Sequence, residues 1–331
     1  CKPCLTPPAN MVGWWNGDAN PNDSSGNGNN GTLQNGAGFA IGKVGQAFTL
    51  DGTNDFVEAP DSPTLSITGP ISIDAWISAN TTAPVQQSIV TKYDSPANQV
   101  SYGVFLNSGG QVEFVVYGAG DGSIFRGIDT AVGAITANTL YHVACTFDPS
   151  SQQIKIYVNG VDSMATLIGG SSSVGSIFDG TAPLRLGAVT NSSAGIEPFA
   201  GIIDEVEVFN RLLSQTEIQS IVAAGTAGKC KRVTTAAGAN VSNQLGDTTL
   251  TFTNVSNGGT STCQTLDTYQ AGPMPFGYNS PLHIADISTL ATFTGGVTTC
   301  FNLQAVTDSN LFRQLHILHL LRRRPQHLDH L

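Results

Sequence analysis

Apolar and polar residues alternate along many short segments of this 331-residue chain. The clearest segments are Ile73–Ile77, Tyr141–Phe147 and Ile154–Gly160, which are rich in β-branched and aromatic residues. Clusters of Gly, Asn, Asp, Pro and Ser separate them and supply the residues that tight turns need. The pattern predicts an all-β antiparallel sandwich rather than a helical or α/β domain.

One helix is predicted shortly after residue 214. Ser214 and Glu217 have the spacing of a capping box, and Ile218 and Ile221 fall on one face of the helix that would follow. Gly225 supplies a C-terminal stop. We expect this helix to close the sandwich as part of the scaffold, without a chemical role.

The alternating pattern restarts after Cys230. Strand-like runs begin at Val233, Thr248 and Thr292, and they predict a second, smaller β-sandwich. The predicted divisions are a linker over residues 1–10, a main β domain over 11–229, a small and incomplete β-rich domain over 230–319, and an atypical tail over 320–331.

The end of the chain differs in composition from everything before it. The tail is basic, and the last part of the chain contains four of the six histidines, His316, His319, His327 and His330. A basic, His-rich segment can bind anions or metal. We instead expect a truncated or frame-shifted end with no such role.

Overall charge limits the partners. The formal net charge is −10 and only 11% of the residues are charged, so we expect no nucleic-acid partner. The 37 glycines and the linkers rich in Ser, Thr and Asn are typical of a secreted or cell-surface β protein. No apolar run reaches the roughly 18 residues of a transmembrane helix. The chain begins at Cys1, so we expect that an export signal was removed or never included.

Two distant segments resemble one family. Residues 45–58 read Gly-Gln-Ala-Phe-Thr-Leu-Asp-Gly-Thr-Asn-Asp-Phe-Val-Glu, and residues 201–218 begin Gly-Ile-Ile-Asp-Glu-Val-Glu-Val-Phe-Asn-Arg. They resemble the first and last core strands of bacterial laminin-G-like, concanavalin A-like jelly-roll domains, over residues 11–229. A weaker resemblance relates 232–319 to a β-rich module of bacterial secreted surface proteins. Both resemblances imply a secreted or bacterial cell-surface location.

The cysteines support an extracellular protein. Because the first and last strands of the family's jelly roll lie side by side, the resemblance implies a disulfide between Cys4 and Cys230. Cys1 in place of Cys4 is the alternative. Cys263 and Cys300, in the second domain, are the second expected pair.

The resemblance also implies a structural calcium ion. The loop over residues 22–33 is similar to a family segment that helps to hold calcium, which takes about six to eight oxygen ligands. Asp23 is its only carboxylate, and Asn29 and Gly31 offer amide or main-chain oxygens. Strand alternation places Asp204 on the apolar face, where a carboxylate needs a cation or several N–H donors. The expected ligands are therefore Asp23, Asn29, Gly31 and Asp204, unless Asp204 only accepts backbone hydrogen bonds.

Carbohydrate binding is the function most often associated with the resembled fold. It requires aromatic faces that stack on sugar rings beside groups that bond the hydroxyls. The candidates in predicted loops are Tyr93, Tyr117, Asp121 and Arg126, with Phe125 beside the last of them.

The three tryptophans, Trp14, Trp15 and Trp76, are assigned to packing in the core or at its rim. Because adjacent residues of a strand face opposite sides, we expect either Trp14 or Trp15 to be locally exposed.

A glycoside hydrolase is the less favoured class. Such enzymes need two carboxylates, and related hydrolases carry them as E-x-D-x-x-E on one strand. Here Ile202 occupies the position of the nucleophile, and Glu205 and Glu207 are expected to face solvent. His142 and Cys145 lie within a strand and are expected to be structural.

These observations predict a non-catalytic extracellular recognition module that binds carbohydrate, contains structural calcium and belongs to a larger secreted or surface protein. The alternatives are a module that adheres to another extracellular protein, or a structural spacer.

Overall fold

Residues 4–82, 85–190, 196–235, 238–245, 248–257, 259–266, 284–289 and 292–301 are described by a computed structural model, mainly as main chain beyond residue 231. In these ranges strands are the main regular structure, which confirms the all-β prediction. The strands of the first sandwich are β1 (Met11–Trp15), β2 (Thr32–Gln34), β3 (Gly38–Ile41), β4 (Gln46–Asp51), β5 (Phe56–Ala59), β6 (Ile71–Ala79), β7 (Gln87–Asp94), β8 (Gln99–Asn107), β9 (Gln111–Tyr117), β10 (Phe125–Asp129), β11 (Tyr141–Asp148), β12 (Gln153–Val158), β13 (Val161–Asp162), β14 (Thr166–Leu167), β15 (Leu184–Leu186) and β16 (Ala200–Phe209).

These strands form two antiparallel sheets. Sheet one has the order β13-β12-β11-β6-β16-β4-β3, with β1 also paired to β16. Sheet two has the order β14-β10-β9-β8-β7-β15-β5-β2. Strands that are distant in sequence are neighbours in both sheets, as in a jelly roll, and this confirms the predicted sandwich.

The hydrophobic core lies between the two sheets. Ile73 and Ile77 of β6 face it from sheet one, while Phe114 of β9 faces it from sheet two. Period-two alternation therefore places the residues between these positions, such as Trp76 and Val115, on the outer faces. The outer faces of the two sheets carry different side chains. Aromatic side chains cluster on that of sheet two, and buried charged side chains lie on that of sheet one.

The predicted helix is present as α1 (Gln215–Ala224). The Ser214 hydroxyl accepts a hydrogen bond from the Glu217 backbone N–H, and the Glu217 carboxylate accepts one from the Ser214 N–H. Ile218 and Ile221 are buried, and the helix ends at Gly225. The capping box, the apolar face and the stop signal are confirmed.

A β-bulge interrupts β16 between Asp204 and Glu207. Glu205 has φ +50°, in the left-handed region, so the alternation shifts by one residue. As a result Ile203 and Val206 both face the core. Asp204 instead pairs with Trp76 on the outer face of sheet one. The prediction that Asp204 points to the apolar face was wrong because it assumed an uninterrupted strand.

The two ends of the first sandwich are joined to each other. Cys4 and Cys230 form a disulfide with a Cα–Cα distance of 4.9 Å, which is the pair that the resemblance favoured. Beside it, the Leu5 N–H donates to the Gly228 carbonyl at 2.8 Å, and the Cys230 N–H donates to the Leu5 carbonyl at 2.9 Å. The alternative partner, Cys1, lies outside the described residues.

Beyond the disulfide the chain is again β-structure. Its strands are β17 (Lys231–Thr235), β18 (Gly238–Leu245), β19 (Thr248–Asn257), β20 (Gly259–Leu266), β21 (Ile284–Thr289) and β22 (Thr292–Phe301). They form two three-stranded antiparallel sheets, β17-β20-β21 and β18-β19-β22. Cys263 lies on β20 and Cys300 on β22, in different sheets, and their pairing stays a prediction. The domain boundaries also stay predictions, and the tail lies outside the described residues.

Candidate functional site

The outer face of sheet two carries four aromatic side chains, Tyr93, Phe105, Tyr117 and Phe125, which we call the aromatic face. The Tyr93 ring centroid is 5.6 Å from that of Tyr117 and 6.3 Å from that of Phe105. The Tyr117 and Phe125 centroids are 6.3 Å apart. Phe105 is buried in one cluster with Val115 and Val189, whereas the other three rings are half-buried. Part of this apolar surface therefore remains accessible to a ligand.

Strand register brings these rings together. Phe125 of β10 lies directly opposite Tyr117 of β9, and both lie on the face opposite the core residue Val116. A Cβ atom at Gly103 would lie 2.3 Å from the Phe105 ring. The missing side chain at Gly103 thus lets the Phe105 ring lie flat on the sheet.

Polar side chains border the aromatic face on the same side of sheet two. The Asn107 amide donates to Glu113 Oε2 at 2.7 Å and to Asp129 Oδ1 at 3.2 Å. The Gln86 amide donates to Glu113 Oε2 at 3.0 Å. Glu113 and Asp129 are directly opposite each other on β9 and β10. Rings and hydrogen-bonding groups thus share one surface, as a saccharide site requires.

The pKa values of this region are shifted by burial. Desolvation raises the pKa of Glu113 to about 7, and the charges of Asp129 and Glu197 contribute to the increase. Desolvation also raises the pKa of Asp129. The pKa values of Tyr93 and Tyr117 are raised mainly by desolvation, and Glu113 and Glu197 add to this effect. Burial and these carboxylates therefore both oppose ionisation of the tyrosine hydroxyls.

The structure brings together two of the four predicted ligand-binding residues. Tyr93 and Tyr117 are neighbours, although they lie on strands rather than in loops. Asp121 is in an exposed turn, where its carboxylate accepts hydrogen bonds from Ser123. Arg126 is opposite Val116 on β9 and is therefore on the other side of the sheet from Tyr117. Ligand binding by any of these four residues stays a prediction.

Sequence reasoning missed Glu113, Asn107 and Asp129. A signal for Glu113 was available, because alternation along Gln111–Tyr117 places Glu113 and Tyr117 on the same face. Asn107 and Asp129 come next to Glu113 through the pairing register of β8, β9 and β10. The sequence alone does not give this register.

The outer face of sheet one is covered by the chain segment beside the disulfide. Lys229 Nζ is 3.4 Å from Glu205 Oε2 and contacts Glu207 Oε1, and all three side chains are buried. Lys231 pairs with Asp18. We call Lys229, Glu205 and Glu207 the lysine clamp. Glu205 and Glu207 were expected to face solvent. That prediction was wrong, because the segment that carries Lys229 covers them.

The carboxylates in and beside the clamp have raised pKa values. Desolvation raises the pKa values of Asp204, Glu205 and Glu207, while the Lys229 charge lowers them. The pKa of Lys229 is raised by the Glu207 and Glu205 charges, which outweigh the opposing effect of its own burial. Asp74 lies opposite Glu207, and His142 Nε2 is 3.7 Å from Asp74 Oδ1. The charged groups around the clamp are buried, so this part of the face offers no open binding surface.

The tryptophans are all buried. Trp15 lies in the core and donates its indole N–H to the Asn29 carbonyl at 2.9 Å. Trp14 faces the other way and donates to Glu205 Oε2 at 3.1 Å. The prediction that either Trp14 or Trp15 is locally exposed was wrong, because the segment that carries Lys229 covers Trp14 on the outer face. Cys145 is a buried thiol in the core, as expected.

The loop that was expected to bind calcium is held by protein donors alone. Asp23 Oδ1 accepts from the N–H groups of Trp14 and Ser25, and Oδ2 accepts from the Ser25 hydroxyl and the Asn29 N–H, all at 2.8 to 2.9 Å. A carboxylate has about four acceptor sites, so those of Asp23 are filled. The Asn29 side-chain oxygen accepts the Ser62 hydroxyl at 2.6 Å. These residues do not fit a calcium site.

Asp204 has a different environment. Its Oδ2 accepts from the N–H groups of Lys43 and Val44 at 2.6 and 3.0 Å, as the alternative interpretation required. Its partners are distinct from those of Asp23. In the described ranges, no group of three or more His, Cys, Asp or Glu side chains is arranged to hold a metal.

We therefore expect calcium to leave the melting temperature of this protein unchanged relative to a chelator. Asp23 already satisfies its acceptor sites, and an added cation would have to displace four protein donors. A thermal melt of the full chain in millimolar calcium and in chelator measures this. A rise in melting temperature that Asp23→Asn abolishes would restore the calcium site.

A concave region with a volume of 600 Å³ lies between the start of β1 and the segment that precedes β6. Amide and hydroxyl groups contribute to its lining, including those of Asn10, Asn27, Thr64 and Asn210. No aromatic side chain lines it, so it lacks the stacking surface of a typical saccharide site.

The fold places the chain in a known family. A family profile described as the concanavalin A-like lectin/glucanases superfamily matches residues 51–219, just over half of the chain. The protein belongs to this superfamily, which confirms the resemblance of the first domain. None of the helices in the described part of the chain is long and apolar enough to span a membrane.

Three solved structures to which the chain is similar are binding domains. The binding domain of Paraclostridial Mosquitocidal Protein 1 is 14% identical, with a TM-score of 0.53 over 85% of this chain and 75% of the other. The botulinum neurotoxin serotype G binding domain has the same identity and TM-score, over 85% and 73%. The botulinum neurotoxin DC binding domain in complex with SialylT is 11% identical, with a TM-score of 0.52 over 85% and 71%. At these identities the likeness shows the fold alone. No curated protein matches the chain.

Proposed function

We propose that this protein is a non-catalytic, extracellular carbohydrate-binding module, and that its glycan site is the aromatic face. The observation that carries the proposal is the contact between the half-buried rings of Tyr93, Tyr117 and Phe125 beside the hydrogen-bonding groups of Asn107 and Glu113. Rings bind the apolar side of a sugar, and amides and carboxylates bind its hydroxyls.

Two further observations support the proposals that the protein is non-catalytic and that it is extracellular. Asp204 and Glu207, which align with the two remaining carboxylates of the hydrolase motif, are both buried, and Glu207 is held in the lysine clamp, so neither is open to a substrate. The disulfide between Cys4 and Cys230 supports an oxidising location, such as the cell surface or the extracellular medium. Structural calcium is not part of the proposal. Protein adhesion and a spacer role stay the alternative predictions.

We expect Tyr117→Ala to weaken glycan binding by about tenfold or more, the effect of losing a well-packed aromatic contact. Tyr117→Phe keeps the ring and should retain most of the affinity. The experiment is a glycan array on the full chain, followed by titration calorimetry of each variant with the best saccharide.

Tyr141→Ala is the matched control. Tyr141 is also half-buried but lies on β11 of sheet one, with its hydroxyl 2.9 Å from Thr136. Binding should be unchanged in this variant, and thermal melts should show that all variants fold. An array without any hit, or a Tyr117→Ala variant with full affinity, would overturn the proposed site.

A further inference from the structure

The rings of the aromatic face do not form a flat platform. The planes of Tyr93 and Phe105 are inclined at 86°, those of Tyr93 and Tyr117 at 64°, and those of Tyr117 and Phe125 at 43°. A flat platform suits the broad face of a neutral sugar. Rings inclined in this way offer separate negative π-faces in place of one continuous stacking surface, and such a face attracts a cation.

An uncompensated pair of carboxylates borders the same face. Glu113 and Asp129 are directly opposite on neighbouring strands and are bridged by the Asn107 amide. Like-charged residues in this position destabilise a sheet. In the part of the chain that the structure describes, neither carboxylate forms an ion pair with a lysine or arginine.

The cations nearest in the sheet have other partners. Arg185 of β15 pairs with Glu58 at 2.8 Å. Lys92 of β7 pairs with Asp61 at 2.5 Å and donates to the Gly180 carbonyl. Arg126 is on the opposite side of β10 from Phe125. A cation that approaches the aromatic face therefore meets carboxylates and rings without competition from these side chains.

Resting on the proposed glycan function, we propose that the ligand of the aromatic face carries a positively charged amine. The ligand class is an amino sugar whose nitrogen is not acetylated. Its ammonium group would lie among the rings of Tyr93 and Tyr117 and face Glu113 and Asp129, while its hydroxyls would bond Asn107 and Gln86. Acidic glycans would be repelled, and N-acetylated sugars would form no ion pair with the carboxylates.

The test uses two oligosaccharides of equal length, a glucosamine oligomer and its N-acetylglucosamine counterpart, titrated into the full chain near pH 7, where the amines and Glu113, whose pKa is about 7, are both partly charged. We expect the free-amine oligomer to bind at least about tenfold more tightly, the range of a cation–π contact assisted by carboxylates. Glu113→Gln with Asp129→Asn should remove this preference. Asp148→Asn, which changes a carboxylate at the end of β11 in the other sheet that accepts hydrogen bonds from Ser150 and Ser151, is the control and should keep it.

The outcomes separate the two proposals. Equal binding of the two oligomers, or tighter binding of the acetylated one, would overturn the amine inference and leave the glycan site intact. Binding of other neutral or acidic glycans on the array, but of neither oligomer, would do the same. Absence of any saccharide binding would overturn the proposed function itself. Binding of lysine-rich peptides in place of saccharides would also overturn the proposed function and identify a protein partner.

Discussion

Replacing Lys229 with methionine should lower the free energy of unfolding by about 3–5 kcal/mol, the cost of removing one partner from a buried ion pair. Lys229 is the cation that contacts both Glu205 and Glu207, and all three side chains are at most 2% exposed. Methionine preserves most of the volume, so the loss would be electrostatic. Chemical denaturation of the full chain, monitored by tryptophan fluorescence, measures the change.

The pH dependence identifies the cause. The pKa values of Glu205 and Glu207 are raised in the folded protein, so protonation of these groups favours the folded state as the pH falls. Without Lys229 their pKa values should rise further, because the lysine charge now lowers them. The cost of Lys229→Met should therefore shrink between about pH 7 and about pH 5. A cost that stays constant over this range would instead indicate lost packing.

Two comparisons make this test specific. Lys155→Met removes a partially exposed pair with Asp162 at 2.7 Å and should cost less than about 1 kcal/mol. Lys229→Met combined with Glu205→Gln and Glu207→Gln should recover part of the stability, because the two side chains that contact Lys229 are then neutral. Failure of this triple variant to recover would show that the lysine acts mainly through other contacts.

Removing the disulfide with Cys4→Ser and Cys230→Ser should cost about 2–5 kcal/mol. The bond joins residues separated by 226 positions, so it strongly reduces the conformational entropy of the unfolded chain. It also holds the segment that carries Lys229. The double cysteine variant and Lys229→Met should therefore lose less together than the sum of their separate losses.

Cys1→Ser is the control for the disulfide. The structure pairs Cys4 with Cys230, so Cys1→Ser should retain the stability of the unchanged protein. A large loss in Cys1→Ser, with little effect of Cys4→Ser, would contradict the assigned pair. Peptide mapping without reduction provides an independent check of the same connectivity.

Much of the fold could be predicted because its signals are local. Alternation identified strands such as β6 and β11, and the capping box identified α1. The bulge at Glu205 has no equally clear signal, since a non-glycine residue with positive φ is held there by its surroundings. This one residue explains why Asp204 was assigned to the wrong face of the sheet.

The candidate site was only partly predictable for a related reason. Tyr93 and Tyr117 were chosen for their chemistry, and their contact depends on the order β9-β8-β7 in sheet two. Glu113 and Asp129 meet through the register of β9 and β10, which is set by packing across the whole sandwich. A local sequence pattern likewise does not predict that a distant segment will bury a side chain, as the segment with Lys229 buries Glu205 and Glu207.

The disulfide has a mechanical consequence. The chain enters the jelly roll at Cys4 and leaves it at Cys230, and a covalent bond joins these two positions. A pulling force applied through the two flanks would pass directly across that bond. The strands between them would bear almost none of the load, so the aromatic face would keep its shape while the protein is under tension.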